Sequence, residues 1–382
     1  MRIVILTTDN REHYKNYSLP RPYFGTAPEA LLQGFEQLPE TEVHVLACTQ
    51  RPMESPEKIG ANIFFHSLLV PRLGWMRTAY QGCIRAARKK IQQLRPDIVH
   101  GQGTERDCAI SAIFSGFPNL ITIHGNMRLV AAINHARPLS FLWLAARLER
   151  WTIPRSDGVV CITGYTQRAT AHLAKRTWII PNAVDGSFFD LTAHPTPNQP
   201  PRLLCVGHVD QRKNQIAFIR ALDSLAKKYS LQALFLGQAH KERAYDAEFL
   251  NLVAARPWCA HEGMVSREKV KSYLQQATLL ALPSLEDNCP MVVLEAMAGG
   301  VPVVASHVGG LPELIEASKT GIFCDPTDPA SMAAAIEKVL TNPSAAAEMA
   351  QRAKQRARER FHPKTVAKRH LDVYRELLEH RS

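Results

Sequence analysis

The sequence lacks the long apolar runs that membrane-spanning helices require. Hydrophobic residues make up 46% of its 382 residues, but no run reaches the roughly 18–20 apolar positions needed to cross a bilayer. An apolar stretch over residues 139–146 ends at Arg147. The first apolar residues of the chain are too few for a signal peptide. These absences predict a cytoplasmic protein that is not integral to a membrane.

Clustered metal-ligating residues are also missing from the sequence. Its eight cysteines occur singly, without a CxxC motif or a cysteine–histidine cluster at the spacing typical of zinc sites. No acidic pair with metal-ligand spacing lies at the end of a predicted strand. We therefore expect no metal and no other cofactor, and we expect reduced, packed thiols of the kind found in cytosolic proteins.

Acidic residues are in the minority. The chain has 46 Lys and Arg residues against 35 Asp and Glu residues, which gives a net charge of +11. Such an excess is compatible with nucleic acid, with anionic membrane surfaces and with phosphorylated substrates. The basic residues are not interleaved with aromatic residues along a predicted stacking sheet, so we expect no nucleic-acid partner.

One stretch, residues 72–95, contains basic residues and no acidic one. Its basic residues are Arg72, Arg77, Arg85, Arg88, Lys89, Lys90 and Arg95. Apolar residues recur among them at helical spacing from Trp75 to Leu94, which predicts an amphipathic surface helix whose apolar stripe packs on a sheet. Two interpretations of the cationic face stay open: attraction to an anionic membrane surface, or a plain solvated surface.

Short apolar runs alternate with helix-length segments along the chain. This alternation predicts parallel sheets built from βαβ units and hence the α/β class. A segment rich in proline, residues 181–201, interrupts the pattern with turn and linker chemistry. We therefore predict two Rossmann-like domains, residues 1–180 and residues 202–362, joined by a hinge over residues 181–201. A further helix is predicted over residues 363–382.

The most informative segment of the chain runs over residues 283–305. After a predicted strand it begins with a polar loop that contains Glu286, Asp287 and Asn288. Acidic side chains on such a loop can accept hydrogen bonds from the hydroxyl groups of a sugar or a ribose. The plainer interpretation, in which the two carboxylates only cap the following helix, stays open on this pattern alone.

A helix is predicted to follow this loop. It begins near Pro290, places Met291 and Val292 in its first turn, carries Glu295, and ends at the glycine pair 299–300. A helix N-terminus at the carboxyl edge of a parallel sheet presents free N–H groups and the positive end of the helix dipole. This position favours an anionic, phosphate-bearing ligand.

The whole segment resembles the signature of the retaining family 4 glycosyltransferases, which have the GT-B fold. The family pattern has an acidic residue, seven positions, a Glu, and then a Pro-Val-Val segment and a Gly-Gly-x-x-Glu turn. Here Asp287 and Glu295 have seven positions between them, residues 301–304 supply the Pro-Val-Val segment, and residues 309–313 supply the turn. The resemblance implies that the first carboxylate contacts the donor sugar and that Glu295 contacts the nucleotide ribose. The first role falls to Asp287 or to its neighbour Glu286.

The resemblance extends to a loop after the first strand of the second domain. There the family places an Arg and a Lys on the donor diphosphate, and charged groups of this kind stabilise a departing diphosphate. Lys213 matches the family lysine, His208 stands at the usual arginine position, and Arg212 is the alternative. By the same resemblance, the donor also contacts Asn288, the helix start at Pro290, Met291 and Val292, and, beside the nucleotide base, Val265.

In the first domain the resemblance is carried by shorter motifs. His124 follows a predicted strand in a His-Gly-Asn turn, and the family has a histidine there that faces the donor sugar. A lone histidine at a strand edge is otherwise most often a structural residue. The resemblance places Asn126 of the same turn, together with Gly25 and Thr26 of a glycine-containing loop after the first strand, on the acceptor side.

The resemblance implies a metal-independent glycosyltransferase of EC class 2.4. Such an enzyme moves a sugar from a nucleotide diphosphate sugar to a glycan, lipid-linked or small-molecule acceptor with retention of anomeric configuration. Residues 1–180 then form the acceptor-side domain, with the helix over 363–382 packed back on it, and residues 202–362 bind the donor across a cleft. Two alternatives stay open: a GT-B sugar-nucleotide epimerase, and a catalytically silent nucleotide-sugar-binding protein. A cytoplasmic enzyme could also be peripheral to the membrane through residues 72–95.

Overall fold

The computed structural model describes residues 1–192 and 199–380. Residues 193–198 of the predicted hinge and residues 381–382 of the predicted last helix lie outside the described residues. The chain divides into two compact units. The first unit is Met1–Asp185 together with the chain from His362 onward, and the second unit is Gly186–Phe361. The division thus falls inside the predicted hinge and again just before Pro363.

The first unit is built on an eight-stranded sheet. Its strands are β1 (Arg2–Leu6), β2 (Glu42–Thr49), β3 (Lys58–Gly60), β4 (Ile63–Leu69), β5 (Ile98–Gln102), β6 (Asn119–Ile123), β7 (Gly158–Cys161) and β8 (Thr177–Ile179). They lie in the order β3-β4-β2-β1-β5-β6-β7-β8, and all neighbours are parallel except β3 and β4. The parallel core confirms the predicted α/β class, whereas the short antiparallel edge strand β3 was not predicted.

The second unit is built on a six-stranded parallel sheet. Its strands are β9 (Arg202–Val206), β10 (Gln232–Leu236), β11 (Cys259–His261), β12 (Leu279–Leu282), β13 (Val303–Ser306) and β14 (Ile322–Cys324). Their order is β11-β10-β9-β12-β13-β14. Strands β10 and β11 follow β9 on one side of the sheet, and strands β12, β13 and β14 then follow on its other side. The carboxyl edge beside such a reversal is where α/β sheets bind ligands.

Helices separate the strands. They are α1 (Asn10–His13), α2 (Thr26–Glu36), α3 (Gln81–Leu94), α4 (Asp107–Ile113), α5 (Met127–Ile133), α6 (Phe141–Thr152), α7 (Gly164–Thr170), α8 (Gln215–Ala226), α9 (Ala244–Ala254), α10 (Arg267–Gln276), α11 (Met291–Gly299), α12 (Leu311–Leu314), α13 (Pro329–Thr341), α14 (Pro343–Phe361) and α15 (Pro363–Glu379). Buried strand residues form one apolar core on each face of the first sheet, and a further core lies against the second.

The last helix, α15, packs on α2 within the first unit. Val366, Leu371 and Tyr374 are buried in the same core as Phe35 of α2. The two helices approach so closely that a Cβ at Gly34 would lie 2.1 Å from the carbonyl oxygen of the residue that begins α15. A side chain at this position would therefore force the helices apart.

The basic stretch, residues 72–95, is not one helix, so that prediction is wrong for its first half. Arg72–Gly74 and Met76–Thr78 are single 3-10 turns, and α3 begins only at Gln81. Ala79 and Tyr80 have φ angles of 48° and 60°, and such left-handed residues interrupt a right-handed helix. The apolar stripe holds within α3, whose buried residues are Cys83, Ile84, Ala87 and Ile91.

Candidate active site

In the second unit, the loops that follow β9 and β12 contact each other directly. The two strands are neighbours in the sheet, so their carboxyl ends lie side by side. The backbone N–H of Leu285 donates to the carbonyl oxygen of Arg212 at 2.7 Å. Nη1 of Arg212 in turn donates to the carbonyl oxygen of Glu286 at 2.9 Å. These bonds hold the predicted diphosphate loop against the predicted sugar loop.

An ion pair joins the same two loops. Nζ of Lys213 lies 2.5 Å from Oδ2 of Asp287, and the hydroxyl group of Ser284 donates to that same oxygen at 3.3 Å. Nη1 of Arg212 lies 3.7 Å from this carboxylate and 3.8 Å from the carboxylate of Glu286. The structure thus brings together two predicted diphosphate ligands and both candidates for the first acidic role.

Backbone geometry fixes this arrangement. The carbonyl oxygen of Asp287 accepts a hydrogen bond from the N–H of Gly310 at 3.0 Å. The preceding Gly309 has a φ angle of 56°, and a Cβ there would lie 1.9 Å from that carbonyl oxygen. On the other loop, the carboxylate of Asp210 accepts a hydrogen bond from the backbone N–H of Lys213 at 2.8 Å. Glycine at position 309 is therefore a steric requirement of the site.

His208, the residue at the usual arginine position, lies on the same loop but is exposed. Its carbonyl oxygen accepts a hydrogen bond from the side chain of Gln215 at 2.9 Å. Within the described residues, its imidazole ring makes no hydrogen bond, ion pair or ring contact. Arg212 is therefore the better placed of the two alternatives for a second positive charge.

Helix α11 begins where the sequence predicts it. Pro290 is its N-cap residue, Met291 and Val292 form the first turn, and Gly300 ends the helix with a φ angle of 71°. Asn288 is half-buried in the loop before the helix. The N–H of Val293 donates to the carbonyl oxygen of Pro290, whereas the first N–H groups of a helix, here those of Met291 and Val292, have no acceptor in a preceding turn. These groups and the helix dipole favour an anionic group.

Glu295 is buried inside α11, with a side chain that is only 2% exposed. Its carboxylate pairs with Nη1 of Arg267 at 2.6 Å, and the Arg267 guanidinium lies 4.9 Å from the ring centroid of Phe188. Sequence reasoning missed Arg267, because nothing in the chain shows that the first residue of α10 reaches a carboxylate 28 positions later. Val265 lies half-buried in the turn just before α10.

In the first unit, His124 lies directly after β6. Its Nε2 is 2.8 Å from Oε1 of Gln102, at the end of the neighbouring strand β5. Burial lowers the pKa of His124 to about 4, although a hydrogen bond to Asn182 opposes this shift. The imidazole is therefore neutral at physiological pH, with Nε2–H donating to Gln102. Sequence reasoning missed both partners, because each comes from a distant part of the chain.

A buried polar network continues from Gln102 to α15. Nδ1 of His100 lies 2.6 Å from the hydroxyl group of Tyr374, and its Nε2 lies 2.7 Å from Oγ1 of Thr122. Burial lowers the pKa of His100 well below its usual range and lowers the pKa of His370 to about 4. A small cavity lined by His124, Gln102 and His370 lies beside this network.

The other acceptor-side residues have evident structural roles. Oδ1 of Asn126 caps α5 by accepting a hydrogen bond from the N–H of Leu129 at 3.0 Å. Gly25 is the N-cap residue of α2, and a Cβ there would only touch Pro28 at 3.5 Å. Thr26 is the first residue of α2. Contact of these residues with an acceptor stays a prediction.

Among the described residues, one group of side chains has the proximity that a metal ion needs. The ligand atoms of Cys48, Cys83 and Asp107 lie within 4.8 Å of one another, and all three residues are buried. These three residues are far apart in the sequence, so the sequence did not predict the group. A hydrogen bond to Cys83 and burial raise the pKa of Cys48 well above its usual range, and burial raises the pKa of Asp107. A protonated thiol such as that of Cys48 is a poor ligand.

No helix in the described part of the chain combines the length and apolar character needed to cross a membrane. The two loop clusters above are the sites at which charged and polar groups converge at the carboxyl edges of the sheets.

Two family models match the chain, one in each half. The model described as "Glycosyltransferase Family 4" matches residues 30–188, and the model described as "Glycosyl transferases group 1" matches residues 189–360. The chain is also similar to the glycogen synthase of Mycobacterium tuberculosis, with 29% identity over 332 residues, which cover 79% of this chain and 75% of that protein. A D-inositol 3-phosphate glycosyltransferase of Nocardioides sp. is 37% identical over 111 residues, which cover 29% of this chain and 24% of that protein.

Solved structures share the fold. Sucrose-phosphate synthase of Thermosynechococcus elongatus superposes with a TM-score of 0.78 at 19% identity, over 99% of both chains. HepE of Anabaena, solved in complex with UDP-glucose, superposes with a TM-score of 0.71 at 18% identity, over 98% of this chain and 100% of that chain. These likenesses confirm the predicted GT-B class. The chain belongs to the family 4, group 1 glycosyltransferases.

Proposed function

We propose that the protein transfers a sugar from a nucleotide diphosphate sugar to an acceptor with retention of anomeric configuration. The observation that carries this proposal is the ion pair between Lys213 and Asp287, which brings the predicted diphosphate ligand and a predicted sugar ligand to one sheet edge. HepE, which shares the fold, is described in complex with UDP-glucose. That complex supports a nucleotide sugar as the donor of this chain.

The donor diphosphate binds Lys213, Arg212 and the first turn of α11. The Lys213 ammonium group has three N–H donors, so it can hold Asp287 and a phosphate oxygen together. Arg212 already lies beside both carboxylates of the loop. As the bond to the sugar breaks, negative charge develops on the diphosphate. Fixed cations and a helix N-terminus stabilise that charge without reorganising.

The sugar and the ribose are held by carboxylates. Asp287 accepts hydrogen bonds from the transferring sugar, with Glu286 as the alternative, and Glu295 accepts from the ribose hydroxyl groups. The ion pair with Arg267 places a positive charge beside the buried Glu295 carboxylate and holds the carboxylate in one orientation. An ionised carboxylate offers acceptor sites alone, which suits hydroxyl donors.

His124 acts as a neutral hydrogen-bonding group toward the transferring sugar. With a pKa of about 4, its imidazole is neutral at physiological pH and carries a single ring N–H, so it is not the imidazolium that a histidine general acid would require. The departing phosphate deprotonates the acceptor hydroxyl on the face from which it leaves, which retains the configuration. No dedicated protein base is then required.

We further propose that the reaction needs neither a metal nor another cofactor. Lys213 and Arg212 supply the positive charge at the diphosphate that Mg²⁺ supplies in other enzymes. The acceptor is a glycan, a lipid-linked molecule or a small molecule. The enzyme acts in the cytoplasm, and the exposed basic residues Arg85, Arg88 and Lys89 of α3 can attract it to an anionic membrane surface.

The proposal is tested by donor binding and by transfer. A thermal-shift panel of nucleoside diphosphates and nucleotide sugars identifies the donor, because a ligand that binds the folded state raises the melting temperature. Transfer from that donor is then followed with excess chelator present, and the anomeric configuration of the product is read by NMR. An inverted product would overturn retention, and activity lost in chelator and restored by a metal would overturn metal independence.

The same assay separates the two alternatives. Conversion of the donor to an isomeric nucleotide sugar without any acceptor would show an epimerase. Donor binding that is never followed by turnover, with a wide range of acceptors, would show a silent binding protein. Neither outcome is compatible with the proposed transfer.

A further inference from the structure

The first unit contains an apolar cavity whose lining includes none of the candidate site residues named above. Its volume is about 440 Å³, within the ~300–1,000 Å³ range of sites that hold small organic ligands. Its wall comes from the 3-10 segment before α3, from α4 and from α6. Residues of this wall are Met76, Tyr80, Ile110, Phe114, Leu144 and Leu148.

Large apolar side chains are exposed at this cavity and near it. Phe114 and Trp151 line the cavity and are 40% and 36% exposed, and their rings stack with centroids 5.8 Å apart. Leu73, in the 3-10 turn just before Met76, is 72% exposed. Exposed apolar surface that is contiguous with a cavity marks a binding site rather than a plain surface.

Arginine residues lie at the cavity and next to its wall residues in the chain. Arg147 lines the cavity and is exposed, and the exposed Arg77 directly follows the wall residue Met76. Arg106, whose guanidinium lies 5.8 Å from the ring centroid of Phe141 at the start of α6, is next to the acidic wall residue Glu105. An apolar interior with arginine at its mouth complements a hydrocarbon chain that ends in a phosphate.

We propose that this cavity binds one hydrocarbon chain of a phosphate-bearing lipid, with Arg147 and Arg77 at the phosphate. The wall has few polar groups, so it offers a peptide little hydrogen bonding, whereas a hydrocarbon chain needs none. The proposal that the cavity binds the lipid depends on the cavity alone. The further proposal that this lipid is the sugar acceptor rests on the proposed function. This further proposal selects the lipid-linked class among the acceptors named above.

Dodecyl phosphate below its micelle concentration is the probe. We expect the protein to bind it in isothermal titration calorimetry, and we expect no binding of inorganic phosphate and at least tenfold weaker binding of dodecanol. Binding of inorganic phosphate alone would overturn the proposal, because the apolar cavity would then have no part in recognition. Binding to anionic vesicles without any binding of monomeric dodecyl phosphate would also overturn it, in favour of a membrane surface.

Matched variants on α6 locate the site. Arg147→Glu should weaken dodecyl phosphate binding at least tenfold, whereas Arg150→Glu, three positions along the same helix and also exposed, should not. Leu144→Asn should weaken binding of the chain, whereas Leu142→Asn, equally half-buried but outside the cavity wall, should have a smaller effect. Equal losses in each pair would place the lipid elsewhere.

Binding of the nucleotide is measured in the same samples. The nucleoside diphosphate identified by the thermal-shift panel should bind wild type and all four variants equally, which also shows that the variants are folded. A protein that binds dodecyl phosphate but no nucleotide would contradict the proposed function and leave the lipid site standing. A protein that binds nucleotide but not dodecyl phosphate would contradict the lipid site and leave the proposed function standing.

Discussion

The ammonium group of Lys213 and the carboxylate of Asp287 form a 2.5 Å ion pair across 74 positions of the chain. The pair is largely buried, because the two side chains are 14% and 11% exposed. It couples the loop after β9 to the loop after β12. Replacing one partner therefore removes the charge that faces the other and the contact that positions it, which makes the pair the natural place to test the site.

Replacing Lys213 removes a charged donor from the diphosphate site. We expect Lys213→Ala to weaken binding of the intact donor and of the free nucleoside diphosphate together, by roughly 10- to 100-fold, since a hydrogen bond to a charged group contributes about 1.5–3 kcal/mol. Lys241→Ala, at an exposed position of the same unit, is the control. Calorimetry with both ligands makes the measurement, and unchanged affinity for both would remove Lys213 from the site.

Asp287 and Glu286 are the two candidates for the carboxylate that contacts the donor sugar. We expect Asp287→Asn to lower kcat by at least tenfold, because the sugar loses a charged acceptor, and to change affinity for the free nucleoside diphosphate much less. Glu286→Gln, one position earlier and also beside Arg212, is the matched comparison. Steady-state kinetics of both variants decide the assignment, and a larger loss in Glu286→Gln would transfer the role to Glu286.

The buried Glu295 depends on Arg267 for its charge balance. We expect Arg267→Met to lower the free energy of unfolding by about 1–3 kcal/mol, because the buried Glu295 carboxylate then loses the charge and the hydrogen bond of Arg267. The double variant Arg267→Met, Glu295→Gln should recover part of this loss. Urea unfolding of the single and double variants measures the coupling. Additive losses would show that the ion pair contributes nothing to stability.

Gly309 and Gly263 make a matched pair for backbone strain. Both have positive φ angles, of 56° and 66°, but a Cβ at Gly309 would collide with the carbonyl oxygen of Asp287, whereas a Cβ at Gly263 meets nothing within 4 Å. We expect Gly263→Ala to cost about 1–2 kcal/mol and Gly309→Ala to cost more and to lower transfer activity. Equal costs in urea unfolding, with activity retained, would show that the loop accommodates the methyl group.

The buried histidines of the first unit predict acid sensitivity. Burial lowers the pKa of His370 from 6.5 to about 4 in the folded state, so between these values the unfolded state binds a proton that the folded state excludes. Stability is then complete above about pH 6.5 and falls as the pH drops toward 4, by on the order of 2–3 kcal/mol for this residue.

His370→Gln should flatten this part of the stability profile, while His380→Gln, at an exposed position two residues before the end of the chain, should keep the wild-type profile. Urea unfolding between pH 4.5 and 7.5 makes the comparison. His124 and His100, whose pKa values burial also lowers, maintain part of the slope in both variants. If the His370→Gln variant kept the wild-type dependence of stability on pH, His370 would have the same pKa in the folded and unfolded states.

Much of the fold follows from local patterns. Apolar runs predict most strands, because a strand buried on both faces needs little more than consecutive apolar residues. The strands that the sequence did not reveal, β3 (Lys58–Gly60) and β11 (Cys259–His261), are three residues long and only half-buried or exposed. The bend before Pro363 and the start of α11 at Pro290 were visible, because proline restricts its own φ angle and its predecessor.

The helix expected over residues 72–95 shows where periodicity alone misleads. Apolar spacing continued through Ala79 and Tyr80, but both residues are left-handed, and no local propensity demands that conformation. The turns there follow from packing, since Gly74 and Gly82 approach so closely that a Cβ on either would lie under 3 Å from the other. Met76 and Tyr80, which lie in this segment before α3, line the apolar cavity.

The sequence by itself determined the class of this protein: composition and apolar periodicity gave two α/β units, and the motif around Asp287 and Glu295 gave its family resemblance. Only the tertiary structure decided the partnerships, such as those of Lys213 with Asp287, Arg267 with Glu295 and Gln102 with His124. The physical reason is that secondary structure and burial depend on neighbours along the chain. A hydrogen bond or an ion pair acts over about 3 Å, so it forms only where the order of strands brings distant loops to one edge.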